Sequence, residues 1–389
     1  MGSVIPRSSE EREMSSSRSP AAAVLDDDDL LSEILLRLPP QPSSLPRASL
    51  VCKRWRRLVS DPKFTRCFRL RHRRNTPLLG CFVEKASGLT FLPTMEAPNC
   101  VPPKRFSSLF DDRFNVVGCR HGLVLLSDAL RKQVVVWDPV TAYQHHIAVP
   151  VGFHNRFTQG TVLLAPGDGH HFQVAMAVAD GKDKQYIRVL SCVYSSKASE
   201  WSDVVSMPIP SSSLPMDVLA DKPARLVGNS LYWTFSGRFV GFLEFDLERQ
   251  NLTMIPVPVD VYAKAKNWDF MVIQAEGGGL GLLFLSDFTA QLWKRTTGGD
   301  GVASWVLGRT IEPGELLSLN LVKKMLQPHL LGFADDNNVV FLRTISGGLF
   351  IIHLESLQFK KLSGRSPISW YHPFECVYAS GLGGSGGFE

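Results

Sequence analysis

The sequence predicts two unlike parts, a small all-α helical bundle followed by a large all-β, propeller-like domain. Leucines recur at helical spacing near the N-terminus, whereas from about residue 77 short β-branched and aromatic runs follow one another without intervening helices. Those runs also repeat at intervals of roughly 50 residues, which is typical of the blades of a propeller. A chain of 389 residues has room for one small module and one large β-architecture.

Changes in composition divide the chain into five segments. The first is rich in Ser, Arg, Glu and Pro without apolar periodicity and is predicted to be disordered, and the last is glycine-rich. The five predicted segments are a tail over 1–24, a helical module over 25–66, a basic linker over 67–76, the β domain over 77–380 and a flexible tail over 381–389.

The helical module begins with carboxylates and continues with leucines. Asp26 to Asp29 suit the start of a helix, where free amides and the positive end of the helix dipole favour acidic side chains. The apolar positions that follow lie at i, i+1, i+4, i+5 and i+8, and they are Leu30, Leu31, Ile34, Leu35 and Leu38. Pro39-Pro40 ends this helix.

A second apolar set has helical spacing and ends near Asp61-Pro62. Its members are Leu45, Ala48, Leu50, Val51, Trp55, Leu58 and Val59. The module is only about 40 residues long, and its apolar stripe is wider than so small a core can bury. We therefore expect part of this surface to belong to an interface with another protein.

The β domain shows a degenerate internal repeat. Trp137, Tyr194, Phe245, Trp293 and His353 occupy equivalent points, separated by 57, 51, 48 and 60 residues. Five such units and an incomplete first one over 77–115 predict a ring of about six blades. The terminal segment Pro373–Tyr378 is expected to complete the first blade, so that the ring has no exposed sheet edge at its closure.

Charge and cysteine content limit the classes of function. Eleven Lys or Arg residues against one acid over 47–74 give that segment +10, which leaves −5 for the rest of a chain with a net charge of +5. The overall charge therefore argues against general nucleic-acid binding, although His72-Arg73-Arg74 could act as a nuclear-import signal. Seven scattered cysteines without a secretory signal predict reduced thiols and a cytoplasmic or nuclear location. No apolar run is long enough to indicate a membrane span.

No enzyme or metal motif is recognisable. Adjacent histidines, His145-His146 and His170-His171, would point to opposite faces of a strand and chelate poorly, so no metal is expected. The glycine-rich stretch at 276–281 lacks the Lys-Ser/Thr of a phosphate-binding loop and is predicted to be a hairpin turn. We therefore expect no catalytic residues and no cofactor.

Three short motifs resemble the F-box. They are Leu30-Leu-Ser-Glu-Ile-Leu-Leu-Arg-Leu-Pro-Pro40, then Ser49-Leu-Val-Cys-Lys-Arg-Trp55-Arg-Arg-Leu58, then Asp61-Pro62-Lys-Phe64. The following region is similar to the kelch-related "F-box-associated" domain of plant F-box proteins, as in Gly122-Leu-Val-Leu-Leu followed by Val-Trp137-Asp-Pro139. One departure is Leu25-Asp26, where the family often has Leu-Pro.

The resemblance implies a non-catalytic substrate receptor. Its F-box would bind a Skp-type adaptor, and through it cullin and RING subunits of an SCF-type ubiquitin ligase, while the propeller would bind an unknown target protein. The adaptor-facing positions implied by the resemblance are Leu30, Leu31, Ile34, Leu35, Leu38, Pro39, Val51, Cys52, Lys53 and Trp55. Some of these must instead hold the helices together, and the sequence does not divide the two sets.

Two alternatives stay open at this stage. The chain could be an F-box protein that binds the adaptor without supporting ubiquitination. It could also be a propeller that binds a ligand and has an incidental helical N-terminus. No sequence feature identifies target-binding residues, because the loops of a repeat fold follow no residue code.

Overall fold

A computed structural model gives the fold of most of the chain. The residues it describes are 27–85, 88–106, 113–128, 130–153, 159–164, 171–180, 186–210, 222–235, 240–264, 270–286, 289–311, 329–344, 347–362 and 369–378. The predicted tails over 1–24 and 381–389 lie outside these ranges, as does Asp26. Within the described ranges, no helix is long and apolar enough to cross a membrane.

Four helices of the described N-terminal residues form a bundle, which confirms a small all-α module. They are α1 (Asp28–Leu35), α2 (Ser44–Ser49), α3 (Lys53–Val59) and α4 (Pro62–His72). Asp27 caps α1 by accepting hydrogen bonds from the amides of Asp29 and Leu30 at 2.8 and 3.3 Å. The fourth helix includes residues 67–72, which corrects the predicted linker over 67–76. The reason is Phe68, which is buried in the bundle core together with Phe64.

The β domain is a six-bladed propeller in which each blade is an antiparallel sheet. Blade 1 contains β1 (Leu78–Lys85), β2 (Gly88–Pro93) and β24 (Tyr371–Glu375). Blade 2 contains β3 (Phe114–Arg120), β4 (Leu123–Asp128), β5 (Gln133–Trp137) and β6 (Gln144–Ala148). Blade 3 contains β7 (Gln159–Leu164), β8 (Phe172–Asp180), β9 (Tyr186–Ser195), β10 (Glu200–Trp201) and β11 (Val205–Pro210).

The remaining three blades have four strands each. Blade 4 contains β12 (Arg225–Val227), β13 (Ser230–Phe235), β14 (Gly241–Asp246) and β15 (Asn251–Pro256), and a short helix α5 (Val259–Lys264) follows it. Blade 5 contains β16 (Phe270–Gln274), β17 (Leu280–Ser286), β18 (Thr289–Thr297) and β19 (Ala303–Ile311). Blade 6 contains β20 (His329–Ala334), β21 (Val339–Arg343), β22 (Leu349–His353) and β23 (Phe359–Leu362).

The C-terminal strand closes the ring. β24 pairs with β1 in an antiparallel register that matches Leu78 with Glu375 and Val83 with Tyr371. It is the innermost strand of blade 1 and contacts the innermost strands of both neighbouring blades, β20 and β3. This confirms the predicted closure by the segment that begins at Pro373, and it makes the first blade depend on both ends of the β domain.

The repeat read from the sequence corresponds to one strand of each blade. Trp137, Tyr194, Phe245, Trp293 and His353 all lie on the third strand of blades 2 to 6, on β5, β9, β14, β18 and β22. Apolar side chains from adjacent blades pack between the sheets. Between blades 1 and 2, for example, the rings of Phe82 and Trp137 have centroids 5.5 Å apart.

Candidate functional site

The first helix has two different apolar sides. Leu31 and Leu35 are buried, at 0% and 1% exposure, whereas Leu30 and Ile34 keep 47% and 40% of their surface exposed. Residues four apart lie above one another on a helix, so Leu30 and Ile34 present one apolar face to the surroundings of the bundle. The stripe predicted from the sequence is therefore partly core and partly free surface.

A second exposed apolar pair lies between α2 and α3. Leu50 is 84% exposed and Val51 is 61% exposed, and Cys52 and Lys53 next to them are exposed as well. The guanidinium of Arg54 binds the carboxylate of Asp28, with Nε and Oδ1 2.7 Å apart, which joins the start of α3 to the start of α1. The sequence-based set had omitted Leu50, although it included the neighbouring Val51.

The structure divides the ten predicted adaptor-facing residues into three groups. The exposed ones are Leu30, Ile34, Pro39, Val51, Cys52 and Lys53, the half-buried ones are Leu38 and Trp55, and the buried ones are Leu31 and Leu35. The last two share the bundle core with Phe64 and Phe68, which corrects the prediction that they face an adaptor.

The bundle is joined to the propeller through several direct contacts. Val377, two residues after β24, is 4% exposed and belongs to the hydrophobic core of the bundle. The hydroxyl of Thr76 donates to Asp336 Oδ2 at 2.6 Å, and the Arg69 guanidinium lies 3.7 Å from Asp138 Oδ2. The amide of Ser43 donates to Asn99 Oδ1 at 3.1 Å.

These contacts all lie on one face of the ring. Val377 follows the end of an innermost strand, and Asp336 follows the end of another, β20. Asp138 follows β5, a third strand, which runs in the same direction as the innermost strand of its antiparallel blade. We call this side the bundle face; the opposite face is the one at which the innermost strands begin.

Charged residues on or next to the innermost strands bind groups in other blades. The guanidinium of Arg120 is 2.6 Å from Asp335 Oδ2, and that of Arg225 is 3.4 Å from Asp335 Oδ1. Arg225 also donates to the carbonyl of Phe333 at 2.7 Å. Nearer the opposite face, the ammonium of Lys222 donates to the carbonyl of Phe270 at 2.6 Å and lies 5.5 Å from the centroid of the Trp370 ring. Polar contacts thus link the inner parts of different blades.

Two titratable groups on β24 have unusual acidities. Burial raises the pKa of Glu375 to about 7, against the hydrogen bonds that its carboxylate accepts from Asn337. Burial, together with the charge of Arg225, lowers the pKa of His372 to about 3. His372 is therefore neutral near pH 7, while Glu375 titrates close to it.

The histidine pairs and the glycine-rich stretch were the other features considered as candidate sites in the sequence. His145 lies 3.3 Å from the hydroxyl of Tyr194, and the described ranges contain no group of three or more residues able to hold a metal ion. The glycine-rich stretch forms the turn between β16 and β17, where the amide of Gly278 donates to the carbonyl of Ala275 at 2.9 Å. This confirms the predicted hairpin. His170 lies outside the described residues.

Comparison with known families assigns both parts of the chain. Residues 27–67 match the F-box domain, and residues 115–379 match the β-propeller described as F-box protein AT5G49610-like. The chain belongs to this family of F-box propeller proteins. F-box domains in general bind Skp1-type adaptors. The F-box match ends within α4, and this helix continues beyond it to His72, shortly before β1 begins at Leu78.

Relatives of this F-box protein occur in Arabidopsis thaliana. F-box protein At5g03970 is 24% identical over 293 residues, covering 71% of this chain and 67% of the relative. F-box/kelch-repeat protein At3g23880 is 23% identical over 248 residues, covering 59% and 65%. A solved nidogen/laminin complex superposes with a TM-score of 0.37 at 10% identity, covering 75% of this chain and 95% of that one, a score too low to support a functional parallel.

Proposed function

We propose that this F-box protein is the substrate-recognition subunit of an SCF-type ubiquitin ligase. The observation that carries the proposal is the exposure of Leu30, Ile34, Leu50 and Val51 on a bundle whose core is complete without them. Fully burying one aliphatic side chain contributes about 1.5–3 kcal/mol. Covering these four with a Skp-type adaptor therefore supplies a substantial hydrophobic contribution to binding.

The joint between the two domains gives the proposed receptor its geometry. Val377 in the bundle core and the Thr76–Asp336 and Arg69–Asp138 contacts hold the F-box against the bundle face. A target held on the propeller would then keep a defined position relative to the adaptor, the cullin and the RING subunit. In this mechanism the chain performs no chemistry itself. It raises the effective concentration of target lysines near a ubiquitin-charged enzyme, in the cytoplasm or nucleus.

Titration of the purified chain with a recombinant Skp-type adaptor tests the first step. Val51→Asp places a charge on a side chain that is already 61% exposed, so the fold is retained while the apolar contact is lost. We expect the dissociation constant of the adaptor complex to be at least tenfold larger for Val51→Asp and for Leu50→Asp. Leu130→Asp is the matched control, because Leu130 is 77% exposed on the propeller.

Equal affinity for all three variants would contradict the proposed adaptor surface. A second experiment tests the ligase step separately. The chain, adaptor, cullin and RING subunit are reconstituted with proteins that co-purify with the chain, and ubiquitin transfer is followed. Adaptor binding without transfer to any co-purified protein would support the non-ligase alternative instead.

A further inference from the structure

The outermost strand of blade 5 differs from the other strands at the rim of the ring. β19 pairs with β18 on one side, and no strand among the described residues pairs with it on the other. It is nine residues long, whereas the outermost strands β2, β6, β11, β15 and β23 have four to six. Its outer side therefore offers a long row of main-chain donors and acceptors.

Four of the other outer strands, β2, β11, β15 and β23, contain residues that discourage pairing, and β19 has few of them. Prolines occur in β2, β11 and β15, and two lysines occur in β23. β19 has no proline and a single charge, Arg309, and it leaves Val306 and Leu307 exposed at 50% and 44%. Its irregularity is a bulge at Gly308, so the pairing with β18 is regular from Ala303 to Leu307.

Grooves flank this strand on both faces of its blade. Toward blade 4, one groove is lined by Pro258, Val259 and Trp305, and the indole of Trp305 donates to the carbonyl of Pro256 at 2.8 Å. Toward blade 6, the other groove is lined by Gly308 and Leu354. A strand added to β19 would direct alternate side chains to these two sides, which is how strand addition combines main-chain pairing with side-chain pockets.

The local charge indicates what kind of strand would fit. β18 and β19 together carry Lys294, Arg295 and Arg309 and no acidic residue, although the chain outside 47–74 has a net charge of −5. The guanidinium of Arg295 lies 6.0 Å from the centroid of the Trp305 ring, close to the first groove. Three acidic residues line the grooves, and all of them lie outside the two strands. They are Asp260 in α5, Glu276 in the β16–β17 turn and Glu355 after β22.

We propose that β19 is a docking site for an extended, acidic segment of a partner protein, which adds to blade 5 as a fifth strand. The affinity comes from main-chain hydrogen bonds, the apolar side chains of the segment enter one of the flanking grooves, and its carboxylates lie near Lys294, Arg295 and Arg309. If the chain is a ligase receptor, this segment belongs to the target. The docking itself does not depend on adaptor binding, so the two proposals can fail separately.

The test uses a fluorescein-labelled peptide of alternating sequence, Glu-Val-Glu-Phe-Glu-Val-Glu, titrated with the full chain bound to its adaptor. We expect this peptide to bind saturably. A second peptide, in which every Glu is replaced by Lys, should bind at least tenfold more weakly. The first peptide should also bind at least tenfold more weakly to the Leu307→Asp variant. Thr253→Asp is the matched control, because Thr253 is an exposed residue of the outermost strand of blade 4. Adaptor affinity should be unchanged in both variants.

Two N-methylated peptides distinguish strand addition from attraction between opposite charges. One carries methyl groups on its odd-numbered amides and the other on its even-numbered amides. Since only alternate amides of an added strand face β19, we expect one peptide to bind normally and the other to lose at least tenfold. Equal affinity of both, or no effect of Leu307→Asp, would overturn the proposal.

The edge of β19 could instead be covered by the chain itself or by a second copy of it, and two observations would reveal this. Residues 312–328 follow β19 and lie outside the described ranges. A peptide that binds only after this segment is replaced by a short Gly-Ser linker would show that the chain covers its own edge. Concentration-dependent dimers that Leu307→Asp dissociates would show that a second copy occupies β19. Either result would overturn the assignment to a partner segment.

Discussion

Glu375 is a residue whose ionisation should couple the stability of the fold to pH near neutrality. Its pKa is raised from 4.5 to about 7, mainly by burial and further by Asp335 and Asp336. Between these two values the folded chain retains a proton that the unfolded chain has released, so the free energy of unfolding falls as pH rises and levels off above about pH 7. Protonation therefore favours the closed arrangement around β24.

Glu375→Gln tests this coupling, because glutamine keeps an oxygen that can accept hydrogen bonds from Asn337 but cannot ionise. We expect the variant to gain stability over wild type as pH rises from 5 to 8, with a slope below about 1.4 kcal/mol per pH unit, because folded and unfolded chains differ by at most one bound proton at this residue. Chemical denaturation at several pH values measures the difference. A difference that stays constant across this range would contradict the raised pKa.

Leu30 and Leu31 show what the sequence could and could not predict about the burial of single residues in α1. Helical spacing placed both on one wide apolar stripe, yet Leu31 is fully buried and Leu30 is 47% exposed. A stripe that includes i and i+1 spans more of the helix circumference than one neighbouring helix can cover. Which side of the stripe is buried depends on where α4 packs. The extension of α4 to His72 was not predicted, because residues 67–72 are largely basic and resemble a linker in composition. The existence of the module was predictable, but the division of its surface was not.

At the scale of single elements, the packing of β20 against β24 requires a residue without a side chain. A Cβ added at Gly332 would press against the main-chain carbonyl oxygen of Tyr371, which cannot move without disturbing the closing strand. Gly332→Ala should therefore destabilise the propeller by about 1–3 kcal/mol or more, as overpacking typically does. Gly299→Ala is the control, because nothing lies within 4 Å of its added Cβ.

Thermal unfolding of the two variants measures this effect. We expect a clearly lower midpoint for Gly332→Ala and a midpoint close to wild type for Gly299→Ala. Similar midpoints would mean that the contact between blades 6 and 1 can relax, and that the ring closure is looser than the structure indicates.

The blades were predictable because their spacing is a local property of the sequence. Third strands recur every 48–60 residues, and each carries an aromatic residue or a histidine at the equivalent point. The unusual length of β19 among the outermost strands was not predicted, because alternating runs do not reveal which strand lies at the rim. Exposure of an edge depends on the order of strands in a sheet, and that order is set by tertiary packing.

At the scale of the whole molecule, distant parts of the chain meet at the joint between the F-box and the ring. Thr76 binds Asp336, 260 residues away, and Val377 enters a core that begins with Leu31. No local pattern could have predicted these pairs. They join the two predicted domains into one structure, in which the segment that closes the propeller also completes the core of the helical bundle.

This shared segment predicts that C-terminal truncation damages both domains together. A chain that stops after Ser369 lacks β24 and Val377, so blade 1 loses its innermost strand and the bundle loses a buried side chain. We expect a lower unfolding temperature and adaptor binding weakened at least tenfold, although no adaptor-facing residue has been removed. A chain that stops after Tyr378 retains both features and should match the full chain in adaptor titration and in thermal unfolding. If the shorter chain bound the adaptor with full affinity, the F-box would fold independently of the ring, and its position relative to a bound target would have to be fixed by something other than Val377.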